Sequence, residues 1–455
     1  MSTIAAISTA PGVGGIGIIR MSGEECFDIL EKVFKQKNPQ DIAKIKGYTI
    51  KYGNIIDENS KIIDEVLVSY FKAPKSYTAE NMCEINSHGG TVIMKEILDL
   101  CIRNGAELAE PGEFTKRAFL NGRLDLTQAE AVIDIINAKT DKEAKVSLEQ
   151  LSGNLSEKIE SIRKKIISVL ADIEATIDYP EYDIEEVTTA QISKILDEVD
   201  KDLADLEKSF YNGKILREGV STAIIGRPNA GKSSLLNVIL NEERAIVTEY
   251  EGTTRDTIEE YINIDGVPLK IIDTAGIRDA KDEVEKIGVK KAIEIAKKSD
   301  IVIAIFDVTR ELNKEDEEIL ELLKEKNAVI VLNKIDLEER KNLDKIKAVN
   351  KPIVEISTKT RKNIDKLYEE ISKMLKLKEI ANDGEVIVSN LRHKNLIINS
   401  RKNLEKAKET IKSSMPIDII SSYMKEIIEE LGKITGETVT DDVIKEIFSK
   451  FCLGK

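Results

Sequence analysis

Residues Gly226–Ser233 have the sequence GRPNAGKS, which fits the spacing G-x-x-x-x-G-K-[ST]. In this pattern glycines let backbone N–H groups approach phosphate oxygens, the lysine reaches the terminal phosphates, and the final hydroxyl can ligate Mg²⁺. The last two roles fall on Lys232 and Ser233. The predicted phosphate-binding residues are Asn229, Ala230, Gly231, Lys232, Ser233 and Ser234.

The flanking residues predict the strand and the helix that such a loop requires. Ala223–Ile225 is an apolar, strand-like run, and Leu235–Leu240 continues as a helix. A helix N-terminus adds its positive dipole to an anion site. A Gly-rich turn before an ordinary helix is the alternative interpretation, which this order of elements disfavours. The chain is therefore predicted to bind a nucleoside triphosphate.

Three later motifs specify the nucleotide: Asp273–Gly276, Asn333–Asp336 and Ser357–Lys359. Asp273 follows a strand-like run and would hold Mg²⁺ through water, while the Gly276 N–H would contact the terminal phosphate. The Asp336 carboxylate can accept two hydrogen bonds from guanine, and adenine lacks that donor pair. A solvated turn is the alternative for this tetrad, but it follows a predicted parallel strand, where ligands bind. The predicted guanine-pocket residues are Asn333, Lys334, Asp336, Ser357, Thr358 and Lys359.

The polar segment Glu251–Asp256 lies between the phosphate loop and Asp273. Thr254 can add a second hydroxyl ligand to Mg²⁺ once a γ-phosphate is bound. Ile277 stands where many small GTPases carry a glutamine that orients the attacking water. Another residue must position that water, and acidic candidates follow within 279–285. A solvated charged surface is the alternative for those acidic residues.

Composition limits the class of protein. The 455 residues suggest roughly three domains, and 41% hydrophobic residues indicate a globular chain. The sequence shows no apolar run of membrane-spanning length and no signal peptide, so we expect a cytoplasmic protein. Four scattered cysteines and two histidines do not suggest a Zn²⁺ site. A net charge of −14 requires any RNA contact to use a local basic patch.

The patterning predicts a multidomain chain. Residues 1–118 mix short strand-like and helix-like runs as an α+β domain, 119–215 are helical, 216–377 alternate as an α/β P-loop domain, and 378–455 are helical again. Amphipathic helices must bury their apolar stripes. We therefore expect the two helical parts to form one all-α domain into which the nucleotide domain is inserted.

Several helices are predicted individually. Thr127 and Glu130 form a capping box, and apolar residues spaced by three or four from Leu148 to Ile177 predict one long helix that ends at Tyr179-Pro180. Further helices are expected over 190–212, 394–412, 417–434 and 441–451. The residues 452–455 are then a short mobile tail, whose Gly454 and Lys455 do not fit a prenylation box.

The chain resembles the MnmE (TrmE) family of tRNA-modification GTPases from end to end. The residues that carry the resemblance are Gly12–Arg20, Ser87–Gly90, Pro111–Asn121, Gly226–Ser234, Gly252–Asp256 and Phe451–Lys455. The resemblance implies a homodimer that joins an FAD- and NADH-dependent MnmG-type partner in a heterotetramer. It also implies aminomethyl or carboxymethylaminomethyl groups at C5 of the wobble uridine in tRNA, with the one-carbon unit taken from a tetrahydrofolate derivative.

The same resemblance assigns site residues. The N-terminal domain would bind 5-formyl- or methylene-tetrahydrofolate through Arg20, Glu84, Arg123 and Lys455, and Cys452 stands where the family has a cysteine needed for modification. Glu84 suits the amino-pyrimidine edge of a pterin, and the cations suit a folate carboxylate. Arg123 stands where relatives often have Lys, which keeps the charge and changes the donor geometry.

For the GTPase domain the resemblance implies dimerisation across the nucleotide faces with K⁺ bound, so that K⁺ supplies the positive charge of an arginine finger. Asn229 matches the side-chain ligand of K⁺, and Glu285 matches the residue that positions the attacking water. The loop 248–253 would donate backbone carbonyls. The loop positions assigned to the metal are Thr248, Tyr250 and Thr253.

Two other classes of function fit parts of the sequence. A regulatory or ribosome-assembly GTPase would use its outer domains only as binding modules, so folate binding distinguishes it from a modification enzyme. A nucleotide-gated scaffold would hydrolyse little GTP even with K⁺. The residues spaced for Mg²⁺ catalysis favour turnover over a scaffold.

Overall fold

The computed structural model describes residues 2–41, 44–178, 189–241, 245–247, 260–272, 285–338, 341, 343–377, 380, 385–413 and 417–455. The chain divides into two compact units. The first comprises Met1–Ile133, Gln150–Ile195 and Asn403–Lys455, and the second comprises Asp134–Glu149 and Leu196–Lys402. Among the described residues, none of the helices has the length and apolar content needed to cross a membrane.

The first unit is built on a seven-stranded sheet. Its strands are β1 (Ile4–Ile7), β2 (Gly14–Ser22), β3 (Phe34–Gln36), β4 (Thr49–Ile56), β5 (Ile62–Phe71), β6 (Met82–Gly89) and β7 (Glu107–Leu108). The order is β3-β4-β5-β6-β2-β1-β7, antiparallel except for the β1/β7 pair. Two helices, α1 (Cys26–Val33) and α2 (Thr91–Arg103), pack on the sheet. The α+β prediction is confirmed.

Residues alternate between the two faces of this sheet because successive strand residues point in opposite directions. On β6 the side chains of Cys83 and Ile85 are fully buried in the core with the helices, whereas Glu84 and Asn86 face the other side. Arg20 lies directly opposite Glu84 on the neighbouring strand. This second face therefore brings together two polar residues that are 64 positions apart in the sequence.

The predicted capping box is wrong by two residues. Helix α3 (Glu113–Leu120) is followed by α4 (Leu126–Asn137), and Asp125, not Thr127, caps α4. The Asp125 Oδ1 atom accepts from the Gln128 N–H at 2.9 Å, and Gln128 Oε1 accepts from the Asp125 N–H at 3.0 Å. The sequence contains two overlapping pairs with the residue types of a capping box, Asp125/Gln128 and Thr127/Glu130, and the structure forms the first.

The single long helix predicted from Leu148 to Ile177 is also wrong. Helix α5 (Asp141–Leu151) ends before α6 (Asn154–Asp178), and Gly153 lies between them with φ 102°. That backbone conformation interrupts a right-handed helix. Leu148 is 59% exposed, so it is not part of the buried stripe that continues on α6. The predicted end at Tyr179-Pro180 lies outside the described residues.

Helix α7 (Thr189–Glu218) covers the predicted segment 190–212 and extends six residues further. The second unit then forms an α/β sheet. Its strands are β8 (Val220–Ile225), β9 (Ala245–Val247), β10 (Glu260–Ile264), β11 (Val267–Ile271), β12 (Ile301–Asp307), β13 (Ala328–Asn333) and β14 (Ile353–Glu355). The order is β14-β13-β12-β8-β11-β10-β9, parallel from β14 to β11.

Helices cover both faces of this sheet. They are α8 (Lys232–Leu240), α9 (Glu285–Lys298), α10 (Lys314–Glu325), α11 (Leu343–Lys347) and α12 (Ile364–Leu375). Leu235 and Leu367 pack in one apolar core, whereas Ala296 and Leu323 pack in another. Two cores on opposite faces of a mainly parallel sheet are the doubly wound arrangement, so the α/β prediction for this segment is confirmed.

Three more helices follow: α13 (Leu391–Lys412), α14 (Ile417–Thr435) and α15 (Asp441–Phe448). The last ends three residues before the predicted end at 451. In the first unit α14 packs along α6, where Arg163 pairs with Glu437. In the second unit Arg401 on α13 binds Asp200 and Glu207 on α7. The single helical bundle and the three boundaries between the four predicted segments stay predictions.

Candidate functional site

The phosphate loop lies between β8 and α8, as predicted. Gly226 and Gly231 have φ values of 155° and 111°, and each lies against a neighbouring group. A Cβ atom on Gly226 would lie 2.5 Å from the Ile305 carbonyl oxygen, and one on Gly231 would lie 2.1 Å from Asn333 Nδ2. Both glycines are therefore required by backbone conformation and by space.

The polar side chains of this loop lie where it turns into the helix. Lys232 Nζ donates to the carbonyl oxygens of Gly226 at 2.7 Å and Arg227 at 2.9 Å, so its ammonium group stays within the loop. Ser233 and Ser234 are exposed in the first turn of α8. Backbone N–H groups at such a helix start are free of intrahelical partners and favour anions.

Asn333 joins three segments that the sequence treats as separate motifs. It is buried at the end of β13, its Nδ2 donates to Ala230 O at 2.9 Å, and its Oδ1 accepts from the Thr358 N–H at 3.1 Å. The phosphate loop, the N-K-x-D tetrad and the S-T-K segment are thereby held together. All predicted guanine-pocket residues lie at this edge of the sheet.

Asp336 is prepared to act as an acceptor. Ser357 Oγ donates to its Oδ1 at 2.7 Å, and Ser357 is itself buried. This hydrogen bond, with the Lys359 and Lys334 cations, lowers the pKa of Asp336 below its usual value. The carboxylate is therefore ionised at neutral pH and exposed to a ligand, which suits two N–H donors of a base. Lys359 is exposed nearby.

Several predicted residues lie outside the described part of the chain. The positions concerned are Thr248, Tyr250, Thr253, Thr254, Asp273 and Gly276. Glu285 begins α9, but its side chain also lies outside the described part of the chain. Asn229, by contrast, lies within the described residues and is exposed in the phosphate loop with φ 63°.

A second polar site lies on the face of the N-terminal sheet opposite α1 and α2. Arg20 donates to Glu84 Oε1 from Nε at 3.0 Å and from Nη2 at 2.8 Å. The Tyr77 ring lies between two arginines, with Arg20 Cζ 5.5 Å and Arg123 Cζ 5.0 Å from its centroid. Tyr77 is tied to Thr115 Oγ1 at 2.8 Å. The structure thus brings Arg20, Glu84 and Arg123 into one cluster.

The segment 449–455 is packed on this site, so the predicted mobile tail is wrong. Phe451 is buried against Gly112, and the Gly454 carbonyl oxygen accepts from Arg20 Nη1 and from Ser8 Oγ, each at 3.1 Å. Gly454 has φ 84°, and a Cβ atom there would lie 2.4 Å from Ile7 O. Contacts made over long sequence separations fix this segment, which composition alone could not reveal.

Two side chains at the end of this segment remain available for chemistry. Cys452 is exposed, and the other three cysteines are buried. Burial and the nearby Arg20 cation lower the pKa of Lys455 from its usual value. The cluster that the resemblance assigns to folate therefore contains Lys455 as well, with Cys452 two positions from the carbonyl that Arg20 binds.

The sequence did not point to two residues that the structure places at these sites. Tyr77 belongs to no motif, and its position between arginines depends on the fold. Asp307, at the end of β12, accepts from Lys334 Nζ at 2.6 Å. Asp307 comes at the end of an apolar strand, at the edge of the sheet where ligands bind. That position is the only feature of the sequence that could have marked it as a site residue.

The fold and the site define the class of the second unit. A parallel, doubly wound sheet carries a phosphate loop at the carboxyl end of β8, and the N-K-x-D and S-T-K segments adjoin that loop. This is a P-loop GTP-binding domain. It belongs to a chain that also carries an antiparallel-sheet domain and long helices.

The chain belongs to the MnmE family of tRNA modification GTPases. Two family models match: the MnmE helical domain over residues 126–452 and the GTP-binding protein TrmE N-terminus over residues 3–123. A relative from Acetivibrio thermocellus described as tRNA modification GTPase MnmE is 50% identical over 100% of this chain and 99% of its own length. Relatives with the same description from Clostridioides difficile and Thermoanaerobacter pseudethanolicus are 50% and 48% identical with the same coverage.

Proposed function

We propose that this chain is the GTP-hydrolysing subunit of a tRNA wobble-uridine modification enzyme. It adds an aminomethyl or carboxymethylaminomethyl group at C5 of U34, with a one-carbon unit from tetrahydrofolate and with an FAD- and NADH-dependent MnmG-type partner. The observation that carries the proposal is the docking of the segment with Cys452 against Arg20, which in turn binds Glu84, in a chain that also holds a guanine-type pocket.

The nucleotide site supports GTP as the ligand. Asp336 is ionised and accepts from the base, while Asn333 and Thr358 hold the pocket to the phosphate loop. Lys232 would contact the terminal phosphates of a bound nucleotide, and backbone N–H groups at residues 229–234 would surround them. Hydrolysis yields GDP on the same residues. The exposed hydroxyl of Ser233 fits Mg²⁺. Thr254 would add a second hydroxyl ligand, and Asp273 would hold the ion through water.

A monovalent cation is part of the same proposal. Asn229 offers an exposed side-chain oxygen in the phosphate loop, which suits K⁺. The carbonyls of Thr248, Tyr250 and Thr253 would complete that site when two GTPase domains meet. K⁺ bound there would supply the positive charge that an arginine finger provides elsewhere, and Glu285 would position the attacking water.

The N-terminal cluster fits a folate in its donor set. Glu84 offers a carboxylate to the amino-pyrimidine edge, Arg20, Arg123 and Lys455 offer positive charge, and Tyr77 offers an aromatic face. Cation-rich surroundings favour carboxylates such as the glutamate of a folate. The one-carbon unit that the folate carries is the group to be transferred, and Cys452 offers an exposed thiol in the segment that docks on this cluster.

Folate binding tests this function against a purely regulatory GTPase. Glu84→Gln removes the acceptor charge, so binding of 5-formyl-tetrahydrofolate, measured by calorimetry, should weaken at least tenfold, about 1.4 kcal/mol. Glu65→Gln, an exposed carboxyl on the neighbouring strand, is the matched control and should bind normally. Failure of the unaltered protein to bind the folate, with normal GTP hydrolysis, would favour the regulatory function instead.

A further inference from the structure

Asp307 stands beside the guanine pocket without belonging to any of its motifs. Strands β12 and β13 are parallel neighbours. Asp307, the last residue of β12, pairs in register with Asn333, the last residue of β13. The next residue after Asn333 is Lys334. The strand register therefore places an acidic residue next to the turn that carries Asp336.

Both oxygens of the Asp307 carboxylate are engaged. Oδ2 accepts from Lys334 Nζ at 2.6 Å, and Oδ1 accepts from the backbone N–H and the hydroxyl of Thr309 at 3.0 and 2.7 Å. The Asp307 side chain is 6% exposed. Burial alone would raise its pKa, but the bonds from Lys334 and Thr309 outweigh burial and lower it. A buried charge with this many partners is held in one position.

Lys334 needs such support because its backbone is unfavourable. Its φ is 70°, in the left-handed region that costs a non-glycine residue stability. The other end of the same turn is Asp336, which Ser357 holds. The ion pair thus fixes the start of the Asn333–Asp336 turn, and the serine hydroxyl fixes its end.

We infer that Asp307 is a positioning residue for guanine-nucleotide binding. Its carboxylate holds Lys334, and through Lys334 it keeps the Asn333–Asp336 turn in the conformation that presents Asp336 to the base. Asp307 itself does not touch the reacting phosphate. A turn that is ordered before binding loses less conformational entropy when the nucleotide arrives. Asp307 therefore contributes to affinity and not to the hydrolytic step.

The test is GDP affinity and GTP turnover of Asp307→Asn. This substitution keeps an acceptor for Thr309 and removes the charge that holds Lys334. The dissociation constant of a fluorescent GDP analogue should rise about tenfold, which is about 1.4 kcal/mol. KM for GTP should rise in parallel, with kcat at saturating GTP within about twofold of the unaltered chain. An unchanged dissociation constant would overturn the inference.

Two further variants separate positioning from general loss of stability. Asp300→Asn removes a carboxylate at the opposite end of the same strand, where it binds Ser221, and GDP affinity should stay normal. In a Lys334→Met background, Asp307→Asn should weaken GDP binding no further, because its effect passes through Lys334. A full additional tenfold loss in that background would contradict the inference.

If Asp307→Asn does not fold, Thr309→Val provides the measurement. It keeps the Asp307–Lys334 pair but removes the hydroxyl that orients the carboxylate. Affinity for the GDP analogue should then fall by a smaller factor, about threefold, with kcat unchanged. Normal affinity in Thr309→Val would then count against Asp307 as the positioning group.

Discussion

At the scale of single residues, neighbouring groups set which carboxyl groups of this chain are charged. The hydrogen bond from Ser357 lowers the pKa of Asp336, so the acid at the guanine pocket stays ionised. Glu143, in contrast, is 5% exposed on α5, and burial raises its pKa to about 7. The carboxyl group is therefore an ionised acceptor at Asp336, whereas at Glu143 burial favours its protonated form.

Glu143 makes folding stability depend on pH. The folded-state pKa of about 7 exceeds the ordinary value of 4.5, so the folded chain holds the proton more tightly than the unfolded chain. Stability is therefore greatest below about pH 4.5 for this group and falls as pH rises to about 7. Glu143→Gln keeps an acceptor for the Lys139 N–H and removes the ionisation, so it should stabilise the chain at pH 8 by roughly 1–3 kcal/mol.

Urea unfolding at pH 5 and pH 8 measures this effect. Glu143→Gln should lose less stability between the two values than the unaltered chain does. Asp141→Asn, an exposed carboxyl in the first turn of the same helix, is the matched control. The same pH dependence in Glu143→Gln and the unaltered chain would show that Glu143 does not hold this proton.

Sequence patterns could predict site residues where chemistry requires fixed spacing. The phosphate loop at 226–233 and the tetrad at 333–336 each lie within one short segment, so their spacing is visible in the chain. Asp307 and Lys334 meet only because two strands share a register, and Tyr77 meets Arg123 only through the fold. Such pairs have no local signal.

At the scale of elements, the errors arise where more than one local pattern is satisfied. The apolar spacing of three or four continues across Gly153, so α5 and α6 look like one helix. A single glycine is tolerated inside helices, and its positive φ is not visible in the sequence. Asp125 and Thr127 both begin acceptable capping boxes, and the structure uses the first.

The packed segment 449–455 gives a prediction at this scale. Gly454→Ala places a methyl group 2.4 Å from Ile7 O and strains a backbone at φ 84°, so the segment should leave its site. A dye on Cys452, the one exposed cysteine of the four, should then show markedly lower fluorescence anisotropy. Gly15→Ala is the control, since a Cβ atom there meets nothing within 4 Å. Equal anisotropy in all three proteins would mean that Gly454 does not seat the segment.

At the scale of the whole molecule, the two sheets differ in how far sequence could predict them. The alternation of strands and helices from 220 to 376 implies a parallel sheet, because each crossover helix returns the chain to the same edge. The antiparallel sheet has no such rule: β2 pairs with β6, and β1 pairs with β7 about 100 residues away. The pattern of short strand-like and helix-like runs predicted an α+β domain. The order of its strands could be determined only from the structure.

The proposed function requires both parts of the chain to act in one reaction. The N-terminal cluster would supply the one-carbon unit, and GTP hydrolysis would drive the movement that permits its transfer to tRNA. Family membership establishes the type of enzyme. The participation of the docked segment and of the folate cluster in this chain is the central claim.

The most direct test is transfer of labelled carbon from methylene-tetrahydrofolate to tRNA. The chain, its flavin-dependent partner, NADH, GTP, Mg²⁺ and K⁺ are incubated with tRNA, and the wobble uridine is analysed by mass spectrometry. We predict labelled carbon at C5 of that uridine, lost when GTP or K⁺ is omitted and lost in the Glu84→Gln variant. Brisk GTP hydrolysis with an active partner but no labelled uridine would contradict the account.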